Sequence, residues 1–235
     1  MVKTGGLRKK MNSDKNTPRL LGAAFLLQAI ASFVSGLVAP VSLLIVSGNI
    51  IDNMTNIANN ASQLRASIVL DMITAIGIVM LGSMLYVTLK KQNGKMALVA
   101  LGLYLIEAAI LAVSRIPVFS LLRISQESVI AGHPDYLQTL GTLFYESQSF
   151  GYELHMLPFA LGATMFYYLF YKSGFLPRGL SLLGLIAAPL ALVGTLFGLL
   201  GYNVPLVVFL PNLPFELGVG LWLLVKGIRH GSETK

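Results

Sequence analysis

Six apolar stretches dominate the sequence, at residues 20–39, 68–89, 96–116, 151–171, 180–202 and 206–225. A hydrocarbon core of about 30 Å needs roughly 20 helical residues to cross it. Lipid offers no partner for an unpaired backbone group, so stretches of this kind fold as spanning helices. The expected fold class is therefore all-α: a polytopic membrane protein built as a six-transmembrane-helix bundle. The first stretch stays apolar through Pro40 to Val46, and proline's missing donor predicts a kink or an exit near Pro40.

Composition agrees with this. Of 235 residues, 55% are hydrophobic and 11% charged, with a mean hydropathy of +0.73. A soluble domain carries about a quarter charged residues, so the composition excludes a water-soluble enzyme, a nucleic-acid-binding domain and a disordered chain. The absence of cysteine removes disulfides, thiol nucleophiles and Cys-rich metal sites.

The 17 Lys and Arg residues supply an orientation. Lys3, Arg8, Lys9, Lys10, Lys15 and Arg19 precede the first stretch. Lys90, Lys91 and Lys95 fill the second connection, Lys172 and Arg178 the fourth, and Lys226, Arg229 and Lys235 the C-terminus. In a six-span topology these fourteen share one side, against Arg65, Arg115 and Arg123 on the other. The positive-inside rule then places both termini in the cytoplasm. The expected organisation is a basic tail at 1–19, a membrane domain at 20–228 and a short tail at 229–235. The first stretch is too long for a signal-peptide core and no small-x-small cleavage site follows it, so it reads as a retained helix, with Met11 as an alternative start.

The basic-side connections are short, with Asn93-Gly94 in one and Gly174 and Pro177 in the other, as tight links between antiparallel helices require. The opposite connections, 48–67 and 117–150, are long. Tyr136, Leu137, Leu140, Leu143 and Phe144 share a helical face behind Pro134, which predicts a short interfacial helix there. Small residues repeat at Gly184/Ala188 and Gly194/Gly198, a spacing that lets helix backbones approach. The aromatic run Phe166, Tyr167, Tyr168, Phe170, Tyr171 reads as an interfacial belt.

Polar groups inside the stretches carry the functional question. An ionisable side chain at the bilayer centre costs about 2.5–3.5 kcal/mol on insertion scales, so it must face a cavity or a partner. Glu107 and Glu216 fall near the midplane, roughly 15–17 Å deep at 1.5 Å per residue, whereas Asp71, Glu153 and His155 lie only about 3–6 Å inside the outer boundary. Asn212, Glu216 and Gly220 repeat every four residues; Tyr104, Glu107 and Ser114 share a face, with Arg115 at its outer end. Gln28, Ser32 and Ser35, and Asp71 with Thr74, form two further polar faces. Convergence of these faces would make an outward-opening polar pocket floored by Glu107 and Glu216, with Asn212, Asp71, Tyr104, Glu153, His155 and Arg115 as further ligand-binding candidates. The plainer alternative is a set of interhelical hydrogen bonds that hold the bundle. A pair of halves related by inversion would place Glu107 and Glu216 in equivalent helices, although the halves show no residue-level similarity.

Other chemistries find little support. His133, His155 and His230 are the only histidines, with no HExxH or His-x3–5-His spacing, and Glu153 and His155 sit on nearly opposite helix faces; this excludes a His-rich zinc centre but not a carboxylate-rich one, and no metal ligand is assigned. Nucleotide-binding glycine patterns and a GxSxG elbow are missing, so no cofactor is expected. The expected partners are the lipid bilayer and a small-molecule or ion ligand, with no nucleic acid and no indication of a homo-oligomer.

Several local patterns carry a family resemblance: Thr17-Pro-Arg-Leu-Leu-Gly22, Asp52 with Asn56-Ile-Ala-Asn59, Leu89-Lys-Lys91, Tyr104-Leu-Ile-Glu107, Lys172-Ser-Gly-Phe-Leu-Pro-Arg-Gly-Leu-Ser-Leu-Leu-Gly184, and Pro214-Phe-Glu216 followed by Gly220-Leu-Trp-Leu-Leu-Val-Lys-Gly227. From about Pro18 to Gly227 the chain resembles the bacterial membrane family catalogued as domain of unknown function 4386. Members usually carry Trp after the Arg of the fifth pattern, where this chain has Gly179. The resemblance implies a multi-span protein of the bacterial cytoplasmic membrane and supplies no activity; Glu107, Glu216 and Asp52 lie within its segments. The reading from the residues is a protein that binds or moves a small molecule or ion. A membrane-embedded enzyme acting on a lipid or isoprenoid is the alternative, with Glu107, Glu216 or the Glu153/His155 end as acid–base groups. A structural or sensory subunit is the third.

Overall fold

A computed structural model describes residues 17–32, 34 and 48–228, and those residues are helical apart from short links. Residues 1–16 of the basic tail, with Met11, the run containing Ser35 and Pro40, and the terminal residues Arg229, His230 and Lys235 lie outside the described residues, whereas 17–19 already belong to the first helix. Helix α1 covers 17–32, α2 Ile50–Asn59, α3 Ala61–Leu89, α4 Gly94–Val113, α5 Arg115–Ile130, α6 Asp135–Ser173, α7 Arg178–Leu199 and α8 Asn212–Lys226. A 3-10 turn at Leu206–Val208 leads into α8.

Local chemistry sets these boundaries. The Asn49 side chain caps α2 by accepting from the Ile51 N–H at 3.0 Å, and Asn93 caps α4 by accepting from the Met96 N–H at 3.1 Å. Gly174 ends α6 in the left-handed region at φ 67°, where a side chain is disfavoured. The α4–α5 break at Ser114 has its cause three residues on. Pro117 has no N–H for the Val113 carbonyl, and its ring crowds that carbonyl, so the helix is interrupted one residue beyond Val113 and restarts.

Four segments are long and apolar enough to cross a membrane: Ala61–Leu89, Gly94–Ile130, Arg178–Leu199 and Leu206–Lys226. They coincide with the second, third, fifth and sixth expected spans. The first expected span lies partly outside the described residues, and the fourth is the C-terminal half of α6. Large apolar side chains cover the outer surface of these segments, as Val69, Ile73, Ile76 and Met80 do on α3, while a second apolar set fills the interior. A helix that is apolar on all sides needs an apolar solvent.

At 39 residues, α6 is the organising element. It is about 58 Å long, nearly twice the hydrocarbon thickness. Its C-terminal half packs against α4, α7 and α1 in the main core, which includes Phe25, Leu81, Ala100, Phe166, Phe170 and Phe215. Its N-terminal half packs with α2, α5 and the start of α3 around a second core of Ile57, Leu64, Val118, Leu121 and Leu122. This second unit is a helical cap at the end of the bundle opposite Lys90, Lys172 and Lys226.

The cap corrects the expectation for the two long connections. In place of loops and one short interfacial helix, residues 48–67 and 117–150 are almost entirely helical, and Pro134 starts a helix continuous with the fourth expected span. The reason is visible in the spacing. Ile57 and Leu64, and Val118, Leu121 and Leu122, recur at helical intervals and bury one another, which outweighs the polar Asn-rich residues between them. Ser128 Oγ lies 3.1 Å from His133 Nδ1, and Gln138 donates to the His133 carbonyl at 2.7 Å, fixing the turn between α5 and α6.

Candidate functional site

The polar residues of the bundle fall into two layers. The deeper one joins α4, α6 and α8. Tyr104 and Glu107, one turn apart on α4, are both buried, at 2% and 5% exposure. Helical spacing continues their face through Leu111 and Ser114, also buried, as the sequence periodicity predicts. Glu216 enters from α8 and is partly exposed. Glu107 and Glu216 are close enough to interact electrostatically, and Tyr104 feels both carboxyls.

Tyr167 on α6 links the two sides. Its hydroxyl donates toward Glu216 Oε1 at 3.5 Å and lies within interaction range of the Tyr104 hydroxyl. Aromatic rings surround the group: Phe166 meets Tyr104 edge-on at 5.3 Å between centroids, and Phe215 lies 4.2 Å from Tyr167. Two glycines make room for Tyr104. A Cβ on Gly162 would fall 2.7 Å from its Cδ2, and one on Gly82 would fall 3.0 Å from its Cβ. Gly184 does the same for the Phe215 ring, with the ring Cζ at 2.6 Å. The Gly184/Ala188 spacing thus seats an aromatic side chain on a neighbouring helix.

Two acceptors in this region have no hydrogen-bond partner among the described residues: Glu107 Oε2 and Asn212 Oδ1. Asn212 is 7% exposed, and its amide donates to the carbonyls of Ala187 and Phe209, each at 3.3 Å. It stands one turn before Glu216 on the same face of α8. Because α8 begins at Asn212, Glu216 lies just past the first turn of its helix and not halfway along a full span.

The second layer lies toward the cap, about 10 Å along α4 from Glu107. Arg115, at the α4–α5 break, pairs with Asp71 on α3 at 2.8 Å, and both are buried. Its Nε and Nη2 donate to Ser114 Oγ at 3.3 and 2.9 Å. Tyr152 and His155 on α6 lie within electrostatic range of Arg115, and their rings meet at 4.7 Å. Ala75, Ile78, Ala108 and Leu111 are buried apolar residues on the stretches of α3 and α4 between the two layers. The faces of α3, α4 and α6 therefore converge, but as two stacked layers, and the upper one is occupied by its own ion pair.

The remaining candidates separate as helical geometry requires. His155 is buried, whereas Glu153 is exposed on another face of α6, near Gly198 of α7. Gln28 packs onto Gly77 of α3, and Ser35 lies outside the described residues. Among the described residues no group of three or more His, Asp or Glu is placed to hold a metal.

Tyr167 is the residue that the sequence pattern misplaces. Tyr168 and Tyr171 are exposed at 43% and 46% and fit an aromatic belt, but Phe166, Tyr167 and Phe170 are buried. The signal is the small-residue run Ala160, Gly162 and Ala163 upstream, which brings this face of α6 close to its neighbours.

The model of one family, described as a domain of unknown function (DUF4386), matches residues 20–227. No curated protein matches the chain, and no solved structure does.

Proposed function

The chain belongs to the DUF4386 family, and from that premise we propose that it is a multi-pass protein of the bacterial cytoplasmic membrane that binds or transports a small molecule or ion at the Glu107–Tyr104–Tyr167–Glu216 cluster. Both termini are cytoplasmic in this reading, and the cap stands on the outer face. The basic residues at the end of the bundle opposite the cap support that orientation.

One observation carries the proposal: Glu107 is 5% exposed, and its Oε2 has no hydrogen-bond partner among the described residues. A carboxyl serving only to hold helices together would have both oxygens paired, because an unpaired buried polar atom costs about 1–3 kcal/mol. The site opens toward the cap when the Asp71–Arg115 layer parts. The α4–α5 break beside Arg115 is the place where the backbone can absorb that movement.

Labelling with a hydrophobic carbodiimide, mapped by peptide mass spectrometry, tests the reading. Glu107 and Glu216 should both react in membranes. Reaction confined to exposed carboxylates such as Glu146 and Glu153 would show a closed structural cluster and overturn it.

A further inference from the structure

We infer that the ligand of the deeper polar layer is a protonated amine, an organic cation that still carries N–H donors. This rests on the binding role proposed above and narrows its chemistry. Among the described residues, the groups that act on the cluster are Glu107, Glu216, Tyr104 and Tyr167, with no Lys, Arg or His among them. An anion would meet two carboxyls and no counter-charge, so it is disfavoured.

The cations divide by what they bring. A metal ion wants several hard oxygen ligands in a closed shell. This layer offers two carboxyls, and no group of three metal-ligating side chains occurs among the described residues. A quaternary ammonium would suit the aromatic faces but has no hydrogen to give. The atoms in want of a partner, Glu107 Oε2 and Asn212 Oδ1, are both oxygens, and both accept when Glu107 is ionised, as it is opposite a bound cation. They require donors, and burial makes leaving them unpaired costly. A protonated amine meets both demands. Its N–H groups pair with carboxylate and amide oxygens, and its charge and adjacent carbons lie against Tyr104, Phe166, Tyr167 and Phe215.

The cap fits the same sign of charge. Asp52, Glu127, Asp135 and Glu146 stand on its helices against Arg65 and Arg123. A surface of net negative charge around an entrance raises the local concentration of cations.

The test uses the full chain purified in a mild detergent and follows its Tm with n-butylammonium, tetramethylammonium, sodium, butyrate and butanol at matched ionic strength. n-Butylammonium should raise the Tm saturably. Its apparent affinity should fall at least tenfold in Glu107→Gln and by a smaller factor in Tyr167→Phe, which leaves both carboxyls in place. A carboxyl-dependent shift with tetramethylammonium, sodium, butyrate or butanol that equals or exceeds that of n-butylammonium would overturn the amine assignment and leave a binding site standing. No Glu107-dependent shift with any of the five would overturn both. If Glu107→Gln fails to fold, Tyr167→Phe decides: unchanged n-butylammonium affinity in that variant counts against the assignment.

Discussion

Arg115 Nη1 lies 2.8 Å from Asp71 Oδ2, at a break between two helices, and both residues are buried. The pair ties α3 to the α4–α5 junction above the carboxyl layer. Removing one partner leaves the other charge buried and uncompensated, at a cost of about 3–5 kcal/mol. Asp71→Asn and Arg115→Gln should each lower the Tm of the purified protein, and the combined variant should recover part of the loss. Strictly additive losses in that double-mutant cycle would show that the two groups are uncoupled.

Gly162 is the seat of Tyr104. Gly162→Ala places a Cβ 2.7 Å from Cδ2 of the ring and 3.2 Å from the Ala100 carbonyl oxygen. The ring or the helix must move, and overpacking of this kind costs about 1–3 kcal/mol. Gly179→Ala meets nothing within 4 Å in α7 and should be neutral or slightly stabilising, since alanine favours helix. Equal Tm values for the two variants would contradict the close α4–α6 contact.

Orientation can be read directly because the chain has no cysteine. Single cysteines at Lys91 and at Ala131, which is exposed with ordinary negative φ, should label oppositely with a membrane-impermeant maleimide. Ala131→Cys should react in intact cells, and Lys91→Cys only after the membrane is opened. The reverse pattern would invert the topology, and labelling of both in intact cells would contradict an odd number of crossings between the two positions.

Much of this architecture is legible in the amino-acid sequence. Helices α4 and α7 end within three residues of their expected limits, because a 3.6-residue helix in lipid leaves few alternatives, whereas α3 starts at Ala61 rather than 68 and α8 at Asn212 rather than 206. Tyr104, Glu107 and Ser114 share a buried face because helical spacing requires it. Glu153 and His155 part for the same reason. The cap is not legible. Its apolar positions are interleaved with Asn, Gln and Ser, and only the pairing of Ile57 and Leu64 with Leu121 and Leu122, distant in sequence, makes those helices stable. The bond from Tyr167 to Glu216 is hidden likewise, since the two stand on different helices 49 residues apart and nothing local to Tyr167 announces its partner.

Native mass spectrometry of the full chain, released from a mild detergent without added ligand, tests most directly whether the Glu107–Glu216 cluster is a binding site. Wild-type protein should retain a small non-lipid adduct that is absent from Glu107→Gln and Glu216→Gln prepared in parallel with normal expression and Tm. An adduct retained equally by all three proteins would contradict a ligand held by these carboxyls. So would its absence from the wild type, when the variants also show normal function in cells.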